Sequence, residues 1–176
     1  MLFRSDLRDA VEKVWKARGS AFVVGVDGRK IVTRSRHSLL NALFQSGGVI
    51  CAKYSTVFIY QLLEEQGYKC NPFEHEVIDM CGMIEYHDEC QLAVNPKLCQ
   101  FKVFDTEEEA ETFTKEWTGD QLSSIVEGKN GKFVVTLPNP VSKAIHKAID
   151  MAVEEVKLNV ELGYEWVCAN NWFKCH

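Results

Sequence analysis

The chain has 176 residues, 46% hydrophobic and 26% charged, a composition that can bury a core within one domain and excludes a disordered polar chain. No run approaches the roughly 18 apolar residues of a membrane span, and the opening MLFRSDLRDAVEKVWK carries acids in an amphipathic pattern unlike a secretory signal; a soluble, cytoplasmic protein without membrane contact is expected. The net charge of −5 is unevenly divided, with ten Lys/Arg against four Asp/Glu over residues 1–53 and a balance of −11 over the rest. Phosphate binding depends on the local cluster more than on the total, so the basic first third keeps open either nucleic-acid contact or a merely basic surface helix.

Residues 6–18 place Leu7, Ala10, Val11, Val14 and Trp15 at helical spacing, with Ser5 as N-cap and Gly19 as stop. AFVVGV and KIVTR then flank Asp27-Gly28, which suits a tight turn, so a short hairpin is predicted. From Ser35 to about Gln66 there is no proline, Ser35 is available as a cap and Gly67 ends the run, which predicts a long helix. The pair Gly47-Gly48 in its middle costs on the order of 1–2 kcal/mol of helix propensity and is expected to mark a kink or a close backbone approach.

After Asn71-Pro72, CGMIEYHDECQLAV alternates apolar and polar residues on both sides of His87-Asp88, predicting two strands joined by a tight turn that holds a carboxylate rigid and exposed. Residues 96–140 read as a self-contained inserted α/β lobe. In it FKVF is a strand, Thr106 and Glu109 form a capping-box pattern before an acidic helix to about Trp117, and SIVEG and KFVVTLP flank Lys129-Asn130-Gly131 as a hairpin. An amphipathic helix is expected from 141 to about 162, followed by YEWVCANNW as a final strand. The fold class is α+β, organised as 1–95, 96–140 and 141–176.

Seven cysteines without a CxxC pair fit free or buried thiols in a reducing compartment, and Cys168, Cys175 and His176 match no common zinc-ligand spacing. The long helix sets His37, Asn41 and Gln45 four apart on one face. Side-chain amides suit the acceptors that every base pair shows in the minor groove, and Arg29, Lys30, Arg34, Arg36 and Lys53 flank them as phosphate contacts; a solvated polar face has the same spacing. His87-Asp88-Glu89 at a hairpin tip sets two carboxylates side by side, the oxygen donors that Mg²⁺ takes; an ordinary acidic turn reads the same in isolation.

Taken together, GRK, then R-x-x-x-x-x-x-N-x-x-x-Q, then a hairpin with HDE, then Asn-Trp-x-x-x-His at the end resemble the palm of family A DNA polymerases, bacteriophage replicative enzymes above all. The resemblance covers roughly residues 8–94 and 141–176. It implies a partial polymerase palm in which Asp88 is one of two catalytic metal-binding aspartates, with Glu89 beside it and His87 near the primer end. It further implies that Asn41 and Gln45 contact the primer-template minor groove with His37 alongside, and that Asn171, Trp172 and His176 form the terminal motif.

The strand bearing the family's other catalytic aspartate and the fingers helix have no counterpart here, since Asp6, Asp9 and Asp27 do not sit in that motif. The segment at 96–140 has no recognised counterpart either. The expectation is therefore a C-terminal palm portion of a split polymerase, acting on primer-template DNA and dNTP with two Mg²⁺ ions shared with a complementary polypeptide. The rivals are a non-catalytic DNA-binding or assembly subunit and an unrelated metal-dependent hydrolase using His87 and Asp88.

Overall fold

The computed structural model describes residues 2–86, 89–117 and 122–175. Helix α1 (Leu2–Ala17) begins ahead of Ser5, which falls inside the helix instead of capping it. Nothing from Leu2 to Arg4 interrupts a helix, and once nucleated each added residue contributes a bond. The backbone leaves the helix through left-handed Gly19 and Ser20, with the Ser20 amide donating to the Trp15 carbonyl at 3.0 Å. Trp15 packs with Val23 and Leu39 in a small cluster completed by Val11 and Ile31.

Strands β1 (Phe22–Val24) and β2 (Lys30–Val32) pair antiparallel around the turn at Asp27-Gly28, where Gly28 takes φ +81°. A 3₁₀ turn, Arg36–Ser38, leads into helix α2 (Leu39–Glu65) of 27 residues. Ser35 makes no side-chain cap bond; instead the Ser38 hydroxyl donates to the Ser35 carbonyl at 2.9 Å. The helix runs unbroken across Gly47 and Gly48, and a Cβ at either would meet nothing within 4 Å, so no neighbouring backbone accounts for the pair. It ends at left-handed Gly67.

Strands β3 (Met80–Tyr86) and β4 (Glu89–Val94) form the predicted hairpin, with Tyr86 opposite Glu89 and a bulge between Gly82 and Ile84. Its base is tied by the Asp79 carboxylate, which accepts from the Lys69 amide at 2.9 Å. Next come β5 (Phe101–Phe104), α3 (Glu107–Trp117), β6 (Ser124–Glu127) and β7 (Phe133–Thr136); the strands form an antiparallel sheet in the order β5-β7-β6. The expected strand, acidic helix and hairpin are all present, and Thr106 Oγ1 accepts from the Glu109 amide at 3.3 Å, giving one half of the capping box. α3 covers one sheet face through Phe113 on Phe104, ring centroids 5.2 Å apart.

Helix α4 (Pro140–Val156) is started by a full capping box between Asn139 and Ser142 with proline in the first turn. It stops well short of Leu162 because Lys157 turns left-handed and the amides of Lys157 and Leu158 bond back to Glu154 and Val153. The expected final strand is absent: residues 161–169 pair with no ladder. The Cys168 amide donates instead to the Ser124 hydroxyl at 3.0 Å, so a side chain takes the bond that a strand edge would have supplied. The main core lies between α2 and α4, where Ile59, Leu62 and Leu63 meet Val141, Ala144 and Ala148, with Met80 and Cys70 closing one end. The architecture is a mixture of α and β with small antiparallel sheets, in keeping with the α+β expectation. Among the described residues no helix is long and apolar enough to cross a membrane.

Candidate nucleic-acid interface

Three buried residues of α2, Leu39, Ile50 and Cys51, fix which side of the helix turns inward. The opposite side carries Asn41, Gln45 and, from the preceding 3₁₀ turn, His37, all exposed. Phe44 and Gly48 share that face, since positions three and four apart on a helix are neighbours. Lys53 is exposed further along the helix and Arg34 on the approach to it. None of the side chains of His37, Asn41, Gln45, Arg34 and Lys53 makes a hydrogen bond or ion pair among the described residues, so their donors face solvent.

Arg29 differs. Its Nε pairs with Asp27 Oδ2 and its amide donates to Asp27 Oδ1 at 3.3 Å, so the turn neutralises part of its charge. Burial pushes the Asp27 carboxyl up, but the backbone and guanidinium hydrogen bonds from Arg29 outweigh it and hold the pKa below the usual value. Arg36 is also engaged: its Nε pairs with Glu12, a buried acid of α1 that pairs in addition with Lys16 at 2.7 Å. The Lys16 hydrogen bond lowers the Glu12 pKa against its burial, and Arg36 lowers it further.

That anchor draws the N-terminal helix against the entrance to α2. Between them opens a cleft of about 600 Å³ lined by Arg8, Asp9, Arg36, His37, Asn41 and Phe44 among others. Sequence reasoning passed over Arg8 and Phe44. Phe44 carried a legible signal, standing three residues after Asn41 on the same face; Arg8 carried none, because only the packing of α1 brings it near His37.

The β3–β4 hairpin lies along α2. Met80 packs on Leu63, the Gly82 amide donates to Tyr60 Oη at 2.6 Å, and Cys90, whose thiol pKa burial pushes up, comes near Thr56. A Cβ at Gly82 would stand 3.0 Å from Tyr60 Oη, which explains the glycine. From Leu63 to Thr56 the hairpin therefore runs toward the N-terminal half of the helix. Its last paired residues are Tyr86, which is exposed, and Glu89, whose Oε1 accepts from Gln91 Nε2 at 2.9 Å. His87 and Asp88, which connect them in the sequence, lie outside the described residues.

In the terminal motif, the Asn171 side chain accepts from the Lys174 amide at 3.2 Å and caps the 3₁₀ turn Trp172–Cys175. Lys174 Nζ donates to the Glu127 carbonyl of β6, so this end of the chain is tied to the three-stranded sheet. The Trp172 side chain and His176 lie outside the described residues. The seven cysteines are free thiols. Among the described residues no group of three His, Cys, Asp or Glu side chains is arranged to hold a metal ion.

No protein-family model matches the chain. The DNA-directed DNA polymerase of Escherichia phage T7 is 33% identical over 106 residues, which is 60% of this chain and 14% of the relative. That of Enterobacteria phage T3 is 32% identical over 117 residues, 66% of this chain and 16% of the relative. That of Escherichia phage Phieco32 is 32% identical over 92 residues, 48% of this chain and 13% of the relative. Over about half its length or more, the chain is thus related to phage DNA-directed DNA polymerases, of which it spans only 13% to 16%.

Proposed function

We propose that this chain is the C-terminal palm portion of a family A DNA polymerase, completed by a complementary polypeptide that carries the other catalytic aspartate and the fingers. The observation that carries the reading is the shared, exposed and unpaired face of His37, Asn41 and Gln45 on a helix along which the HDE hairpin is laid. In this role Asn41 and Gln45 donate to minor-groove acceptors common to all base pairs, which senses duplex geometry without reading sequence. Arg34 and Lys53 hold backbone phosphates, and Arg29 does so with less charge to spare because Asp27 claims part of it.

Asp88 and Glu89 are adjacent carboxylates next to the last paired strand residues, a hard oxygen donor set of the type that suits Mg²⁺. Two carboxylates from one hairpin are half of what a two-ion site needs, and in this reading the complementary polypeptide supplies the other half. When bound, Mg²⁺ supplies charge neutralisation at the attacking and leaving oxygens of nucleotidyl transfer from a dNTP. This chain's part is to hold the primer-template and present its acids from the β3–β4 hairpin, with His87 toward the primer end. Asn171, Trp172 and His176 form the closing motif, and residues 96–140 are an insertion between the hairpin and α4.

Primer extension tests the reading. Neither this chain nor its complement extends a primer alone, the mixture does, and Asp88→Ala abolishes synthesis while duplex binding persists. Full-rate extension by the complement alone would leave the chain a binding subunit.

A further inference from the structure

The cleft between α1 and the start of α2 adjoins the amide face, and the sequence motifs do not account for it. Arg8 reaches it from α1, Arg36 from the 3₁₀ turn, and His37 and Asn41 from the face itself. Arg8 makes no ion pair among the described residues. Arg36 pairs with Glu12 through Nε and still lines the cleft, and the remaining N–H donors of a guanidinium suit phosphate oxygens. The local charges are Arg8, Lys16 and Arg36 against Asp9 and Glu12, leaving one surplus positive charge, the complement of a single phosphodiester. At the rim Phe44 is 59% exposed, an apolar plate beside cations, which fits the sugar flank of a backbone phosphate better than a bare anion.

We infer that this cleft binds one backbone phosphate of duplex DNA, with Arg8 and Arg36 as its donors and Phe44 packed on the neighbouring deoxyribose. The inference rests on the polymerase reading and adds to it Arg8 and Phe44, which lie outside the residues that suggested it. α1 then serves duplex binding directly, as well as burying Trp15.

The test is equilibrium binding of a short primer-template to the full chain over a salt series, followed by anisotropy. Arg8→Ala should weaken binding several-fold at low salt and reduce the slope of log K against log salt by about 0.9, the share of one phosphate; Arg8→Lys should retain the slope. Phe44→Ala should weaken binding roughly threefold to tenfold with the slope unchanged. Lys143→Ala, an exposed cation on α4, serves as the control that leaves both alone. Arg8 and Phe44 are exposed, and matched melting curves confirm that the variants fold. Wild-type affinity and slope in Arg8→Ala overturn the inference while leaving the polymerase reading intact. No duplex binding by the unaltered chain removes both.

Discussion

At Glu12 a buried carboxylate meets two cations, the Lys16 ammonium one helical turn on and the Arg36 guanidinium carried in from the entrance to α2. Because these partners hold the folded-state pKa below 4.5, the pairing contributes stability at neutral pH that is lost as the pH falls from about 4.5 through the lowered value. Melting curves between about pH 7 and pH 3 should therefore show Glu12→Gln less stable at neutrality and declining less steeply on acidification than the parent. Tyr60 is the second residue on which position depends, because its hydroxyl accepts from the Gly82 amide. Tyr60→Phe removes that acceptor and should cost about 0.5–1.5 kcal/mol in chemical denaturation. Neither the Glu12–Arg36 pair nor the Tyr60–Gly82 bond has a local sequence signature, whereas the spacing of His37, Asn41 and Gln45 was readable because a helix repeats every few residues.

The glycine pair of α2 shows how an element can be built against its own propensity. Gly47 and Gly48 meet nothing inside the chain, yet each costs the helix roughly 0.5–1 kcal/mol relative to alanine. Gly48 lies on the exposed side with Phe44 and Gln45, where a missing side chain leaves room for a ligand's backbone. Gly48→Ala should raise helix stability by about that amount while weakening duplex binding, a pair of opposite signs that melting and anisotropy together detect. At the start of α4, Asn139 accepts from the amides of both Val141 and Ser142 at 3.0 Å, so Asn139→Ala should cost about 1 kcal/mol, measured by denaturant unfolding. The start of this helix was legible to within one residue from its amphipathic spacing. Its end was not, because Lys157 takes the left-handed conformation without being glycine.

Across the whole molecule, α2 and α4 form the frame on which the hairpin and the terminal segment hang. Alanines at 144, 148 and 152 are buried and let the helices approach closely, and Leu63 is fully buried at their contact. Leu63→Ala should destabilise by about 2–5 kcal/mol, and through Met80 it should also loosen the HDE hairpin, seen as faster amide exchange in β3 and β4. Periodicity and turn residues by themselves determined the number, type and order of nearly all the elements, the side that α2 presents, and the two residues between β3 and β4, because those forces act within a few positions of each other. Tertiary structure alone decided that Arg8 stands beside His37, that Glu12 ties Arg36, that Tyr60 seats Gly82, and that the alternating stretch before the terminus pairs with a serine hydroxyl instead of a strand. Each of these joins residues far apart in the chain, and such meetings follow from which apolar faces bury together, a property of the packed whole that no short window contains.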